Sequence, residues 1–123
     1  MEFLKCKRCQ NVVAFVKNVG NKISCCGAEM EKMIANNSEF SHEKHMPSYR
    51  REGKYLYVSV GEGTHPQTEA HHIEWIALVS KKGNQRKLLD HTGKPEAYFL
   101  LEEDDEILEL YSYCNLHGLW EIK

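Results

Sequence analysis

A cysteine and a histidine lie three residues apart near the C-terminus, in the segment Cys114-Asn-Leu-His117. Thiolate and imidazole are side chains that bind transition metals. One thiolate combined with imidazoles indicates iron or copper redox chemistry more than magnesium or calcium binding. The segment therefore predicts one corner of a redox-active metal site.

Two upstream segments carry further histidines. A single loop histidine is more often a solvated bystander than a ligand, but several histidines beside a solitary cysteine favour a shared metal site. The upstream candidates are His45, His65 and the adjacent pair His71-His72. Neighbouring side chains in an extended chain point in opposite directions, so only one member of that pair should bind, and periodicity does not choose between them.

Copper is an alternative to iron, because Cys-x2-His on a β-sandwich is typical of blue-copper proteins. Such sites use two histidines, one cysteine and a weak axial methionine. The residues after His117 are Gly-Leu-Trp-Glu-Ile-Lys and include no methionine. A blue-copper site would also leave the other histidine segments unexplained.

Four more cysteines lie in the first quarter of the chain, as Cys6-x2-Cys9 and the adjacent pair Cys25-Cys26. Four thiolates favour tetrahedral zinc or iron, and reduced bystander cysteines or a disulfide are the less favoured alternatives. An adjacent pair can share one ion only if the local backbone is distorted. Zinc would make the site structural, whereas iron would add one-electron chemistry; ligand type alone does not decide between them.

The chain divides by pattern into residues 1–36 and residues 37–123. A unit of roughly 40 residues or fewer usually needs a metal, disulfides or a partner to fold. A polar linker and loop are expected over residues 35–48. From residue 49 onward, short alternating segments separated by turns predict an all-β domain, either a sandwich or a barrel, with no helix of ordinary length. The predicted strands are 54–60, 72–79, 86–89, 97–101, 107–113 and 119–122, with one more at 12–16 in the first unit.

Composition excludes several classes of partner. Of the 123 residues, 41% are apolar, the formal net charge is -2, and no basic run is present, which argues against nucleic acid and anionic membranes. No stretch approaches the roughly 20 apolar residues of a membrane span. The N-terminus lacks the features of a signal peptide, so we expect a cytoplasmic protein with reduced cysteines.

Three motifs together resemble the superoxide reductase family: Glu43-Lys-His-x-Pro, His65-Pro-x4-His71 followed by Ile-Glu-Trp-Ile, and Cys114-Asn-Leu-His-Gly-Leu-Trp. The N-terminal cysteines resemble the desulforedoxin-like domain of the two-iron branch, desulfoferrodoxin. The resemblance covers nearly the whole chain, with the motifs in the family's order. One departure is Gln10, which stands where a glycine commonly follows the second cysteine.

The resemblance implies a catalytic iron with four equatorial imidazoles and an axial thiolate, supplied by His45, His65, His71, His117 and Cys114. Glu43 would be a carboxylate able to close the sixth position, and Lys44 the cation beside it. A second, rubredoxin-like iron would be held by Cys6, Cys9, Cys25 and Cys26. The implied fold is an immunoglobulin-like β-sandwich preceded by a small desulforedoxin-like domain.

The implied activity is one-electron reduction of superoxide to hydrogen peroxide, with electrons from rubredoxin or a similar carrier. The resemblance also implies a homodimer. The main alternative is an electron-transfer iron protein without a substrate of its own. A second alternative is a structural metal-binding module with zinc in the cysteine site.

Overall fold

The computed structural model describes residues 1–36, 46–61 and 65–122. The chain separates into two compact units, Met1–Ile34 and Ala35–Lys123. Strands and turns make up the described residues, which contain no α-helix, so the all-β prediction is confirmed. No helix in this described part is long and apolar enough to span a membrane.

The first unit is built from five very short strands. They are β1 (Phe3–Lys5), β2 (Val12–Ala14), β3 (Ser24–Cys25), β4 (Ala28–Glu29) and β5 (Glu31–Lys32). β1 is the centre of an antiparallel sheet with β2 and β5, and β3 pairs with β4 as a separate hairpin. The buried cluster contains only Leu4, Cys6 and Met30, flanked by Phe15 and Cys25. Such a small core leaves much of the unit's stability to other interactions.

The second unit has seven strands in two sheets. They are β6 (Pro47–Glu52), β7 (Tyr55–Val60), β8 (Ile73–Ser80), β9 (Gly83–Leu88), β10 (Glu96–Leu100), β11 (Ile107–Cys114) and β12 (Gly118–Ile122). One sheet has the order β10-β7-β6 and the other β12-β11-β8-β9, with antiparallel pairing throughout. The two sheets pack as a sandwich, in agreement with the predicted fold class.

The core of the sandwich lies between the inner faces of the two sheets. Leu56, Val58 and Val60 of β7 are completely buried, and Tyr55 and Tyr57 alternate with them on the more exposed face. This period of two is the pattern from which the strand was predicted. The core also includes Ile73, Ile76, Leu78, Ala97, Phe99, Leu101, Leu110 and Cys114. Cys114 is thus both a core residue and a candidate ligand.

Strand β6 was not predicted, because residues up to 48 were assigned to a linker and loop. It pairs with β7 along its whole length, from Pro47 opposite Val60 to Glu52 opposite Tyr55. The strand begins with a proline and is rich in charged residues, which hides it from sequence patterns. Both features are tolerated because β6 is an edge strand. Arg51 anchors it by donating hydrogen bonds to the carbonyls of Asp105 and Glu102, at 2.6 and 2.8 Å.

The ladder between β8 and β11 is irregular at the end that carries Cys114. Tyr113 pairs with Trp75, but the next residue, Cys114, pairs with Ile73, so one residue of β8 is skipped. A bulge of this kind bends the strand and re-aims the neighbouring side chains, and bulges are common beside functional sites. Here it determines how the end of β11 meets the loop that precedes β8.

Candidate metal centres

The hairpin between β11 and β12 brings Cys114 and His117 together. Cys114 pairs with Gly118 across a three-residue loop. Gly118 has φ +81°, which a glycine adopts without the steric strain of a side chain. Within this turn the Cys114 Sγ lies 3.8 Å from His117 Nδ1. The hairpin geometry therefore explains why the two candidate ligands are three residues apart.

The loop before β8 presents His65 and His71. Its far end is a tight turn in which the Thr68 hydroxyl accepts a hydrogen bond from the His71 amide at 3.1 Å, and the Thr68 amide donates to the His71 carbonyl at 2.9 Å. The Gln67 side chain bonds both backbone groups of Ile73, donating to its carbonyl at 3.0 Å and accepting from its amide at 2.9 Å. These contacts give the loop a defined path into β8.

Four candidate ligands from the two loops converge. Ligand atoms of His65, His71 and Cys114 lie within 4.8 Å of one another. The His71 ring centroid is 4.8 Å from that of His65 and 5.0 Å from that of His117, both edge-on. Metal–nitrogen and metal–sulfur bonds of about 2.0–2.3 Å place ligand atoms roughly 3–4.6 Å apart. The donor set and its spacing therefore fit a single transition-metal ion.

A hydrogen bond determines which nitrogen of His65 can bind. His65 is buried, with 3% of its surface exposed, and its Nδ1 lies 2.7 Å from the Pro66 carbonyl oxygen. A carbonyl only accepts, so Nδ1 carries the proton and the lone pair is on Nε2, the arrangement that a metal ligand requires. The Nε2 atoms of His65 and His71 are both shielded from solvent.

Cys114 is completely buried. Burial raises the pKa of its thiol, while hydrogen bonds from the backbone amides of His117 and Leu116 act in the opposite direction. Burial disfavours a thiolate that has no counter-charge, whereas a bound cation would stabilise it. The buried sulfur with amides directed at it is thus suited to coordinate a cation.

The structure distinguishes between the adjacent histidines. His72 directs its Nδ1 to the Thr68 carbonyl oxygen, at 2.8 Å, and its ring centroid lies 5.9 Å from that of His91. It is His71 that approaches His65 and Cys114. The geometry agrees with the choice of His71, although ligation itself stays a prediction. The other predicted residues of this site, Glu43, Lys44 and His45, lie outside the described residues.

The four N-terminal cysteines form a second cluster. Their Sγ atoms lie within 4.8 Å of one another; the Cys9–Cys25 distance is 3.5 Å and the Cys25–Cys26 distance 4.0 Å. Four sulfurs around one zinc or iron ion at about 2.3 Å would be roughly 3.8 Å apart, so the set fits a tetrahedral ion. The backbone distortion expected of the adjacent pair is present, since Cys26 has φ +54°.

Backbone amides and neighbouring thiols shift the acidity of these cysteines. Hydrogen bonding by the Cys9 amide is the main cause that lowers the pKa of Cys6 to about 6. Hydrogen bonds with the thiols of Cys9, Cys6 and Cys25 raise the pKa of Cys26 to about 12. The neighbouring thiols therefore oppose ionisation of Cys25 and Cys26, and a bound cation would remove that opposition.

Sequence reasoning missed the residues that hold the ligand loops in place. Gln67 and Asn115 make most of the side-chain contacts described for these loops, and Thr68 closes the turn before His71. A threonine three residues before a histidine is a local turn signal that could have been noticed. The side-chain amides of Gln67 and Asn115 bond backbone groups in irregular or distant segments, so no local pattern indicates their roles.

Comparisons with known proteins extend over both units of the chain. The family model described as Desulfoferrodoxin matches residues 37–123. A desulfoferrodoxin homolog of Archaeoglobus fulgidus is 37% identical over 121 residues, covering 98% of this chain and 95% of the relative. The desulfoferrodoxin of Nitratidesulfovibrio vulgaris is 37% identical over 120 residues, covering 98% and 94%. The crystal structure of the superoxide reductase from Treponema pallidum matches with a TM-score of 0.82 and 33% identity, over 99% of this chain and 96% of that one.

Proposed function

The chain belongs to the desulfoferrodoxin family, and we propose that it is a superoxide reductase that reduces superoxide to hydrogen peroxide at a mononuclear non-haem iron. The observation that carries the proposal is the convergence of His65, His71 and the buried Cys114 within 4.8 Å. Imidazoles with one thiolate are a donor set suited to redox-active iron. The similarity to a superoxide reductase of known structure supports the same reaction.

The proposed ligands are four imidazoles and one thiolate. The spacing of His65, His71, His117 and Cys114 supports four of these assignments. The motif Glu-Lys-His-x-Pro supports His45 as the fifth ligand. Neutral imidazoles with a single thiolate would leave a ferrous site with a net charge of about +1, which attracts a small anion.

When bound, ferrous iron supplies the one electron that superoxide takes up. The residues around it orient the site and control its charge. His65 presents Nε2 because Pro66 holds its other nitrogen. Cys114 supplies the anionic sulfur, and the amides of Leu116 and His117 stabilise its charge. Because the whole chain is slightly negative, attraction of superoxide must come from local positive charge.

Lys44 and Glu43 complete the proposed mechanism. The ammonium of Lys44 would attract the superoxide anion and hold a water molecule that delivers protons. Superoxide, one electron and two protons together give hydrogen peroxide. The carboxylate of Glu43 would be a further group able to bind the iron and to offset its charge. Both assignments rest on the sequence motif.

The cysteine cluster is proposed to hold a second iron, with zinc as the alternative. The spacing of the four Sγ atoms supports either ion. Iron there would favour a relay of electrons, and a pure electron carrier is the rival function for the whole chain. The buried imidazole and thiol ligands of the sandwich favour the enzyme, because they form a separate redox site.

The proposal also covers the electron donor, the oligomeric state, the cellular location and the domains. We propose a rubredoxin-like electron donor, because a reductase that makes no oxygen needs an external source of electrons. A homodimer, a cytoplasmic location, and domains of residues 1–36 and 37–123 complete the proposal.

Anaerobic stoichiometry tests the proposed reaction. The iron-loaded chain is mixed with superoxide and a small reduced electron carrier, and peroxide and oxygen are both measured. A reductase forms one peroxide for each superoxide and evolves no oxygen. One peroxide for every two superoxides, with oxygen evolved, would contradict the proposal.

Two matched cysteine substitutions locate the reaction. We expect Cys114→Ser to lose more than the 10- to 100-fold that is typical of disturbed outer-shell residues, because it replaces a ligand. Cys9→Ser removes a sulfur of the N-terminal cluster and should leave most of the activity when an external reductant is supplied. Equal losses in both variants would point to the rival electron carrier.

A further inference from the structure

Asn115 lies directly after Cys114 and reaches across to the loop that carries His71. Its Oδ1 accepts a hydrogen bond from the His72 amide at 2.9 Å. Its Nδ2 donates to the Ala70 carbonyl at 3.0 Å. The two bonds therefore hold the residues on either side of His71, while the backbone of Asn115 is joined to Cys114.

The backbone of Asn115 adds a third link between the same two loops. Its amide donates to the His72 carbonyl at 3.1 Å. This bond continues the pairing of β8 and β11 beyond the bulge, where Cys114 pairs with Ile73. The side-chain bonds begin where the regular ladder ends, so they replace strand pairing in the segment that must present His71.

The rest of the loop is held from other directions. Thr68 closes the turn next to His71, and Gln67 is bonded to Ile73 and to the Asp90 carbonyl. These contacts fix the path of the loop but do not connect it to the β11–β12 hairpin. Among the hydrogen bonds described for this region, those of Asn115 join the hairpin that carries Cys114 and His117 to the loop of His71.

We propose that Asn115 is a positioning residue that fixes the separation of His71 from Cys114 and so prepares the sandwich site for its metal. The inference rests on the proposed metal site but not on the superoxide reaction. Without the side-chain amide, the described bonds that join the His71 segment to the hairpin beyond Ile73 would reduce to the one between the Asn115 amide and the His72 carbonyl, and metal binding would have to complete the positioning of His71. Groups that orient metal ligands in this way typically contribute 10- to 100-fold to metal affinity.

Cobalt binding to the full chain tests the role without using catalysis. The metal-free protein is titrated with Co²⁺ alone in competition with a chelator, and visible absorption is recorded. A site with four sulfur ligands and a site with one differ in their spectra, so the N-terminal cluster serves as an internal reference. For Asn115→Ala we expect about 10- to 100-fold weaker binding at the sandwich site, with a changed spectrum there. Binding at the cysteine cluster should be unaltered.

Two further variants keep the test decisive. Asn115→Leu removes the same two bonds and keeps the number and branching of the side-chain heavy atoms, and it carries the test if the alanine variant fails to fold. Gln85→Ala is the matched control, because Gln85 also donates one side-chain bond to a carbonyl, that of Leu100 at 2.8 Å. That bond lies between β9 and β10, and its loss should leave cobalt affinity unchanged.

The outcomes separate this inference from the proposed function. Wild-type affinity and spectrum in both Asn115 variants would overturn the positioning role, even if their melting temperatures fall. A wild-type chain that binds cobalt only at the cysteine cluster would overturn the proposed metal site and, with it, the inference. Equal loss of affinity in Gln85→Ala would show general destabilisation and also overturn it.

Discussion

The two metal-binding regions of this chain relate to their surroundings in opposite ways. The N-terminal cluster draws its four sulfurs from residues 6–26, and its unit has a buried cluster of three residues. The sandwich site draws its candidate ligands from the ends of long strands and the loops beside them, next to a buried cluster of eleven residues. We expect the cysteine unit to need a metal to fold, because its buried cluster is so small, and the sandwich to fold without one.

Exposure differs between the two regions in part. Cys9 and Cys26 are exposed although Cys6 is buried, whereas Cys114 and His65 are both buried. A partly exposed cluster on a small unit can exchange its ion or be oxidised, because two of its thiols meet solvent. A buried thiol at the end of a central strand is protected and held in place by packing. Thiol ligands thus lie on a small, partly exposed unit in one region and inside a packed core in the other.

Removal of both metals should produce the largest contrast. Structural ions bound by four cysteines contribute apparent free energies of order 10 kcal/mol to folding. We therefore expect a strong chelator to unfold residues 1–34 while the sandwich keeps its protected amides. Hydrogen exchange measured along the chain checks this, and readdition of the metal serves as the control. Loss of protection in both units together would contradict the expectation that only the first unit depends on a metal.

A cavity in the sandwich core should affect only the second region. Phe99 is 1% exposed, whereas its neighbour Leu100 is 65% exposed. We expect Phe99→Ala to lower the free energy of unfolding of the sandwich by about 3–5 kcal/mol, because it removes packed surface and leaves a cavity.

Denaturant unfolding followed by tryptophan fluorescence measures this loss, because Trp75 and Trp120 both lie in the sandwich. Leu100→Ala is the matched control and should change stability by less than about 0.5 kcal/mol. If the two variants were equally destabilised, the sandwich would not depend on its core in the way described.

The smallest effect, a change in metal affinity, is expected in the turn formed by Cys6-x2-Cys9 and the following Gln10. Gln10 has φ +68°, a left-handed conformation that costs a residue with a side chain roughly 1–2 kcal/mol. Its side chain recovers part of this cost by donating to the Lys7 carbonyl at 3.2 Å. Gln10→Gly should therefore tighten metal binding by the first unit several-fold, close to 1 kcal/mol.

A chelator competition at the N-terminal cluster measures this change. The control is Gln10→Ala, which keeps the strain and loses the hydrogen bond, and which should weaken binding slightly. Tighter binding by both variants would mean that the strained backbone is not responsible.

Prediction from sequence succeeded where a property is local. The strand predicted at 54–60 from alternation is found as Tyr55–Val60, the strand predicted at 107–113 as Ile107–Cys114, and the backbone distortion expected of two adjacent cysteines at Cys26. Strand β6 was missed because an edge strand needs no alternating pattern when its neighbour supplies the pairing. The assignments of Glu43, Lys44 and His45 stay predictions.

The sequence by itself determined the kinds of ligand, their grouping into two sites and the all-β class, because these depend on residue type and short spacing. The tertiary structure decided how closely His71 approaches Cys114, how a bulge aligns the end of β11, and where Asn115 bonds. Those features depend on strands that are distant in sequence but paired in space. No local pattern encodes such pairing, because the partners meet only when the core is packed.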